Sequence, residues 1–328
     1  MKKVLSLILA LAMVFALVAC GEKQPASDGD ASSDGDKPAR GNVIMTFGTA
    51  DTGGSMYPAG AAVSQVWTNN VQGVKCNTQT STGSFQNCQD VSTGEVDVAV
   101  ATSDVVLNAY NGTGKFADIG KLDNLRVIGA VYTSVLSGVA LKSSGLTYIH
   151  DLLGKRVAVG PAASATENAT LAAFAAMDIT KDNTSLENLG LGDGILDAAF
   201  GFAGLPIGGQ LNLAATKEIQ VLDMTQEEID KVLAGNAAYI QTTIPAGTYT
   251  GQDNDANTFG VKCLIIVTAD MDADLVYDLC KAMNEHTEEL AAGNALLKDM
   301  TDPSFLCTQM PIPLHDGAQK YYSEQGLI

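Results

Sequence analysis

The sequence has few residues of the kinds that catalysis and metal binding need. It contains three histidines, His150, His286 and His315, which are scattered along the chain without partners at metal-ligand spacing. It also has no Gly-x-Ser-x-Gly, P-loop or Cys-x-x-Cys motif. We therefore expect no metal, no cofactor and no enzymatic activity.

Positive charge is also scarce, with 19 lysines and arginines against 37 acidic residues and a formal net charge of −18. A surface this acidic argues against nucleic acid as a partner. Of the three arginines, Arg40 precedes the folded body, and Arg126 and Arg156 stand where predicted strands begin. The sequence thus offers no arginine clamp for a ligand carboxylate, and we expect backbone N–H groups, helix N-termini and hydroxyls to take that role.

Long apolar runs are missing except at the N-terminus. Lys2 and Lys3 precede the uninterrupted run from Val4 to Ala19, which is shorter than the ~20 residues of a membrane-spanning helix. The run ends in Leu-Val-Ala before Cys20, as in a bacterial lipobox. We interpret residues 1–20 as a lipoprotein signal peptide with Cys20 lipidated; the alternative is an ordinary signal peptide with an incidental cysteine. This predicts a protein on the extracytoplasmic face of the bacterial cell membrane, held by a lipid anchor.

The rest of the chain divides by composition. Residues 21–41 are rich in Asp, Ser and Gly and cannot build a core, so we expect a flexible acidic linker. The ends of the remaining body each hold strands that need a sheet, while the middle has its own set. We predict a first lobe of residues 42–133 plus 255–328 and a second lobe of residues 134–254, joined by two hinge crossings around a cleft.

Five cysteines follow Cys20, and an odd number cannot all be paired. Cys76 and Cys88 are the only close pair and are a candidate disulfide. The alternative for most of the five is a buried thiol that acts as a small hydrophobic side chain.

Apolar, β-branched runs alternate with helical patterns, which predicts an α/β fold of parallel-rich sheets covered by helices. The predicted helices are 58–70, 84–93, 165–177, 229–234 and 273–290. The predicted strands are 43–47, 75–80, 96–101, 125–131, 138–141, 156–159, 195–200, 219–222 and 260–267.

Four loops share one pattern, in which a strand ends in small polar residues and a helix follows. They span 48–58, 80–87, 101–104 and 159–167. Free N–H groups and hydroxyls at a helix N-terminus form a ready anion site. Taken alone, each loop is better explained by helix capping, as for Ser164 with Glu167 in a capping box. Four such loops from both predicted lobes favour a binding cleft.

These motifs resemble the TAXI family of solute receptors for tripartite ATP-independent periplasmic (TRAP) transporters. The matching segments run through the folded body in family order: GTADTGGSMYPAGAA (48–62), STGSFQNCQDVSTGEVDVAVATSDV (81–105), DLLGKRVAVGPAASATE (151–167), DGILDAAFGFAGLP (193–206), IPAGTYTG (244–251) and PLHDGAQKYYSEQG (313–326). The resemblance implies a type II periplasmic-binding-protein fold and a monomeric receptor. Such a receptor captures a small organic anion or amino acid and delivers it to the membrane subunits of a TRAP transporter.

The resemblance also implies a set of ligand-binding residues: Thr49, Thr52, Ser55, Tyr57, Ser84, Asn87, Ser103, Asp104, Ser164, Thr166, Gly204 and Pro206. Departures from the family pattern surround this set and bear on the identity of the ligand; they are Ala50, Asp51, Met56, Thr102, Ala163 and Ala165.

The ligand class follows from the acids in these loops. Asp51 or Asp104, if it faces the cleft, accepts a ligand ammonium, which favours an amino acid over a dicarboxylate. The resemblance implies that this amino acid is glutamate- or glutamine-like. Two other classes of protein stay open. A receptor of an ABC-type uptake system uses the same fold, and an extracytoplasmic enzyme would need a nucleophile–base arrangement that the sequence does not display.

Overall fold

The computed structural model describes residues 41–52, 54–162, 164–189 and 196–328. The predicted signal peptide, the lipidation of Cys20 and nearly all of the predicted linker lie outside the described residues. So do Gly53, Ala163 and the first residue of the strand predicted over 195–200.

The described chain alternates strands and helices. The strands are β1 (Val43–Gly48), β2 (Val74–Gln79), β3 (Val98–Thr102), β4 (Leu125–Leu141), β5 (Arg156–Ala158), β6 (Ser185–Glu187), β7 (Ala198–Ala203), β8 (Ile219–Val221), β9 (Tyr239–Ile244) and β10 (Ala256–Thr268). The α-helices are α1 (Met56–Asn70), α2 (Ser84–Thr93), α3 (Ser103–Asn111), α4 (Ala165–Ala176), α5 (Gly208–Ala214), α6 (Gln226–Gly235), α7 (Ala273–Glu285), α8 (Thr287–Gly293), α9 (Pro303–Cys307) and α10 (Asp316–Glu324). Short 3₁₀ helices cover Gly114–Phe116, Lys142–Ser144, Ile149–Leu152 and Ala295–Thr301.

These strands form one sheet in the order β2-β1-β3-β10-β4-β7-β5-β6, with β8 paired to β4 and β9 paired to β10. Strands β1, β2 and β3 run parallel at one end, and β5, β6 and β7 run parallel at the other. The predicted α/β fold is confirmed. The pairs that β10 and β4 make are all antiparallel, which the alternation of strands and helices did not predict.

Strands β4 and β10 are long, lie side by side in the middle of the sheet and pair with each other. Strand β10 pairs with β3 near its C-terminal end and with β9 near its N-terminal end. Two separate strands were predicted over 125–131 and 138–141, but β4 is continuous through both. Residues 132–137 contain no glycine or proline, and they stay extended because β4 is buried on both faces along nearly its whole length.

The hydrophobic core is divided between the two ends of the sheet. At one end, one cluster contains Phe47 and Trp67, and a second cluster contains Cys88 and Phe116. The other end has its own clusters, built around Phe174 with Phe200 and around Val135 with Tyr249. Trp67 illustrates the packing: it is fully buried, stacks on Phe47 at 5.4 Å and donates a hydrogen bond from Nε1 to the carbonyl of Leu279 at 3.0 Å.

All five described cysteines are buried and free, so the candidate disulfide between Cys76 and Cys88 is wrong. Cys76 on β2 belongs to the cluster of Phe47, whereas Cys88 on α2 belongs to the cluster of Phe116. The two thiols therefore lie in different cores. The alternative, that the cysteines act as buried apolar side chains, is confirmed.

Within the described ranges, no helix is long and apolar enough to cross a bilayer.

Candidate functional site

A cavity of about 660 Å³ lies where the parallel strands end. Its walls come from the loops after β1, β2 and β3, from the start of α4 after β5, from the end of β7, and from the middle of β4. Carboxyl ends of parallel strands are the usual place for a ligand in α/β proteins. We call this space the Asp104 cavity; its described lining residues are Ala50, Gly54, Ser55, Met56, Thr82, Gly83, Ser84, Phe85, Thr102, Asp104, Val105, Asn108, Gly114, Lys115, Phe116, Tyr132, Ser134, Ser164, Ala165, Asn168, Phe202 and Ala203.

Four of the predicted site residues line the Asp104 cavity: Ser55, Ser84, Asp104 and Ser164. Ser84 begins α2, and its hydroxyl accepts a hydrogen bond from the backbone N–H of Thr102 at 3.0 Å, which fixes α2 against the end of β3. Ser164 caps α4, because its Oγ accepts the N–H of Glu167 at 3.1 Å. The capping interpretation of that loop is therefore confirmed, and the same residue also faces the cavity.

Asp104 is the acidic group of the cavity. It lies in the first turn of α3, where the helix dipole favours negative charge. Its Oδ1 is buried and has no hydrogen-bond partner among the described residues. Desolvation raises the pKa of Asp104, although hydrogen bonds from the Thr102 hydroxyl and the Val105 N–H oppose the shift. A buried carboxylate oxygen with no partner costs free energy that a ligand donor can relieve.

Lys115 is the cationic group of the cavity and was not predicted. It belongs to the 3₁₀ helix after α3, and it is the single basic side chain among the described lining residues. The run Asn111-Gly112-Thr113-Gly114 before it is a loop signal that could have drawn attention to it. Gly112 and Gly114 both have positive φ, at 67° and 57°, a conformation that favours glycine.

Three predicted residues have buried, structural roles. The Oγ1 of Thr49 donates to the carbonyl of Gln79 at 2.8 Å, which ties the end of β1 to the end of β2. The Nδ2 of Asn87 donates to the carbonyls of Thr49 and Val100, at 2.6 and 2.7 Å. The Oγ of Ser103 donates to the carbonyl of Ala238 at 3.2 Å, which links α3 to the loop before β9. These bonds hold the loops that carry the cavity, but none of the three residues lines it.

The remaining predicted residues are not among the described residues that line the Asp104 cavity. Thr52 is exposed in a turn, Tyr57 is half-buried in the first turn of α1, and Thr166 is half-buried in the first turn of α4. Asp51, the other acid considered for a ligand ammonium, is exposed and also lies outside the lining.

Gly204 and Pro206 follow β7 and have different surroundings. A Cβ at Gly204 would collide with the end of the Leu296 side chain and lie 3.2 Å from the ring of Tyr132, so a larger residue there would require Leu296 to shift. Pro206 lines a second cavity, of about 900 Å³, together with Thr133, Lys262 and Asp299. We call this second space the Lys262 cavity.

Lys262 on β10 is 4% exposed, and its ammonium donates to the carbonyls of Phe305 and Thr308 at 2.8 and 3.0 Å. It also lies 4.4 Å from the centre of the Phe305 ring. Burial lowers the pKa of Lys262 to about 8. Across the same cavity, Asp299 accepts hydrogen bonds from the N–H and hydroxyl of Thr133. The segment of α9 and the 3₁₀ helix before it is thus bonded to both long strands.

Among the described residues, no group of three or more His, Cys, Asp or Glu side chains is arranged to hold a metal ion.

The model of the NMT1-like family matches residues 47–326. Solved structures that resemble the chain include the alkanesulfonate-binding protein SsuA from Xanthomonas axonopodis pv. citri bound to MOPS, at 13% identity and a TM-score of 0.46, with 88% of this chain and 85% of that chain covered. The periplasmic aliphatic sulphonate binding protein SsuA from Escherichia coli is similar at 12% identity and a TM-score of 0.46, with 86% and 82% covered. An ABC uptake transporter substrate binding protein from Streptococcus pneumoniae with bound histidine is similar at 13% identity and a TM-score of 0.44, with 77% and 94% covered.

Proposed function

The chain belongs to the NMT1-like family, and from this premise we propose that it is an extracytoplasmic solute receptor that binds a small amino acid or organic acid in the Asp104 cavity. The observation that carries the proposal is the cavity itself. It lies at the carboxyl ends of two sets of parallel strands and contains a buried, unpartnered carboxylate oxygen on Asp104. Its volume is within the ~300–1,000 Å³ of ordinary small-molecule sites.

Binding would proceed by closure of two lobes. Residues 42–133 plus 255–328 form the first proposed lobe, and residues 134–254 form the second. The separate cores at the two ends of the sheet support a division into two lobes, although Ala256 and Phe259, at the start of β10, pack in the clusters of the second lobe. Strands β4 and β10 are the proposed hinges. On closure, Ser164 at the N-terminus of α4 would contact a ligand that Ser84 and Asp104 already hold. A ligand that contacts both lobes stabilises the closed form by its higher affinity for that form.

The proposed partner is the membrane carrier of a TRAP transporter, which the TAXI-like motifs of the sequence support. A lipid on Cys20 would anchor the receptor beside that carrier, and residues 21–41 would act as its tether. The receptor of an ABC-type importer is the alternative. Uptake into vesicles that hold an ion gradient without ATP supports the TRAP assignment, and a requirement for ATP hydrolysis supports the ABC assignment.

Thermal unfolding tests the receptor function. The full-length protein, purified from membranes in detergent, is heated with a panel of amino acids, dicarboxylates and other organic acids. A ligand at a hundred times its Kd adds about 2.7 kcal/mol to the free energy of unfolding, a shift of several degrees in Tm. We expect Asp104→Asn to lose this shift and the exposed control Asp118→Asn to keep it. If nothing in the panel shifts Tm, and mass spectrometry of the denatured protein finds no carried-over ligand, the receptor function is contradicted.

A further inference from the structure

We propose that the ligand of the Asp104 cavity is a zwitterionic α-amino acid with an apolar side chain of up to aromatic size. The inference rests on the proposed function, since it names the ligand class of the same site. It differs from the glutamate-like ligand that the sequence favours, because the sequence did not reveal the cavity's cation or its aromatic lining.

The charges of the cavity match those of a zwitterion. Among the described lining residues, Asp104 is the single acidic side chain and Lys115 the single basic one. An α-amino acid brings one ammonium and one carboxylate, so each charge has one partner of opposite sign. Glutamate or a dicarboxylate brings a further carboxylate, for which these lining residues supply no second cation.

Apolar side chains are interleaved with the polar ones in the same wall. Three polar lining residues are each followed in the sequence by an apolar residue that also lines the cavity: Ser84–Phe85, Asp104–Val105 and Lys115–Phe116. Asp104 and Lys115, which would hold the ammonium and the carboxylate, are therefore each followed directly in the chain by an apolar side chain of the cavity wall. A ligand that carries its charges and its apolar group on adjacent carbons fits this arrangement.

The aromatic part of the wall is held by the core. Phe116 is 1% exposed and belongs to the cluster of Cys88, and the ring centre of Phe85 lies 4.5 Å from that of Phe116. Phe116 thus fixes the half-buried ring of Phe85, and an apolar ligand side chain that covers Phe85 removes the exposed part of that ring from water. A charged side chain placed against the same rings would lose water without gaining a partner.

Calorimetric titration of the full-length protein tests the ligand class. After mass spectrometry has shown that the preparation holds no carried-over ligand, it is titrated with L-phenylalanine, L-leucine, L-glutamate and succinate. We expect phenylalanine or leucine to bind at least about tenfold tighter than glutamate and succinate, because one unpaired charge in the cavity lowers affinity by that much. Tighter binding of glutamate or succinate overturns the ligand class and leaves the receptor function standing. If none of the four binds, the ligand class is overturned, and the wider thermal panel decides the receptor function separately.

Analogues that lack one charge test the proposed pairings. We expect 3-phenylpropionate, which has no ammonium, and phenethylamine, which has no carboxylate, each to bind at least about tenfold more weakly than L-phenylalanine. Asp104→Asn should weaken L-phenylalanine by a similar factor and change 3-phenylpropionate by less than about twofold. An equal loss for both ligands would show that Asp104 does not meet the ammonium, and would overturn the proposal.

Truncation of the wall tests the apolar contact. Phe85→Ala should weaken L-phenylalanine at least about tenfold while leaving the affinity for L-alanine nearly unchanged. The matched control is Phe305→Ala, a truncation in the Lys262 cavity, which should leave both affinities unchanged. Thermal unfolding checks that each variant is folded, and Phe85→Leu replaces Phe85→Ala if the latter is not. Equal losses for both amino acids, or no loss for phenylalanine, contradict the contact.

Discussion

Tyr132 and Thr133 are neighbours in β4 but face different cavities: Tyr132 lines the Asp104 cavity, and Thr133 lines the Lys262 cavity. The alternation continues at Ser134 and Val135, which line the first and the second cavity respectively. Successive side chains of a strand point to opposite faces, so one strand forms a wall of both spaces. A change in the twist of β4 would therefore alter both cavities together.

Acidification should weaken the binding of a ligand ammonium in the Asp104 cavity. Desolvation raises the pKa of Asp104 above the ordinary value of 3.8, so this carboxylate takes up a proton at a higher pH than other aspartates do. After protonation, Asp104 no longer offers a negative charge to the ligand ammonium. We expect the affinity of the wild type to fall as the pH is lowered from about 7 toward the ordinary carboxyl value of 3.8, with a much flatter profile in Asp104→Asn. Parallel profiles in calorimetric titrations of the two proteins would contradict this role of Asp104.

Acidification should have the opposite effect on the stability of the ligand-free protein, which should rise where ligand affinity falls. Because the folded-state pKa of Asp104 is raised, the folded chain binds this proton before the unfolded chain does. Lowering the pH through this window therefore adds stability from this group. Denaturant unfolding should show that wild type gains stability relative to Asp104→Asn as the pH falls.

Replacing Lys115 should weaken ligands that carry a carboxylate. Lys115→Met keeps an unbranched side chain but removes the positive charge from the cavity. We expect a loss of roughly 10- to 100-fold in affinity, since a hydrogen bond to a charged group contributes about 1.5–3 kcal/mol. Lys121→Met is the matched control, because Lys121 is exposed and does not line the cavity. Equal affinities of the two variants in calorimetric titrations would remove Lys115 from the site.

Replacing Asn87 should lower stability more than a surface change on the same helix. Asn87 is fully buried, and its amide donates to the carbonyls of Thr49 and Val100. Asn87→Ala leaves both of those acceptors without this donor, and we expect a loss of about 2–4 kcal/mol in the free energy of unfolding. Thr93→Ala, at the exposed end of α2, should change it by less than about 1 kcal/mol. Urea unfolding measures both, and a small effect of Asn87→Ala with a large loss of ligand affinity would instead place Asn87 in the binding site.

The charge of Lys262 should give the protein a distinctive response to alkaline pH. Burial lowers the pKa of Lys262 from 10.5 to about 8. Between these values the unfolded chain holds a proton at this lysine that the folded chain has released, so stability from this group rises with pH. We expect the free energy of unfolding of wild type to rise relative to that of Lys262→Met by about 1 kcal/mol or more between about pH 8 and about pH 9.5. Lys298→Met, an exposed lysine of the same cavity, is the control, and a difference between wild type and Lys262→Met that stays constant over this range would contradict the prediction.

The sequence predicted the elements that follow local patterns. Helix α2 matches its predicted range, because glycines precede and follow it at Gly83 and Gly94. Ser84, Asp104 and Ser164 were found because small polar residues after a strand point to the end of a sheet. Lys115 was missed because α3 was not predicted. The valines, asparagines and tyrosine of Ser103–Asn111 have only modest helix propensity, so the glycines at 112 and 114 were not recognised as a loop that follows a helix of the site.

Tertiary position accounts for the remaining differences. Thr49 and Asn87 occur in the same loops as the cavity residues, and only the fold shows that their side chains bond the strand ends to one another. The continuity of β4 likewise depends on burial against β10 and β7, which a local pattern does not report. The aromatic wall was missed because Phe85, Phe116 and Phe202 come from distant parts of the chain.

A crystal structure of the protein with its tightest ligand from the thermal panel shows whether the Asp104 cavity is the binding site. We predict that the ligand lies in the Asp104 cavity, with a nitrogen within about 2.7–3.2 Å of Oδ1 of Asp104, and that it contacts Ser164 from the other end of the sheet. A ligand in the Lys262 cavity or on the outer surface, with the Asp104 cavity holding only water, would contradict the proposed site.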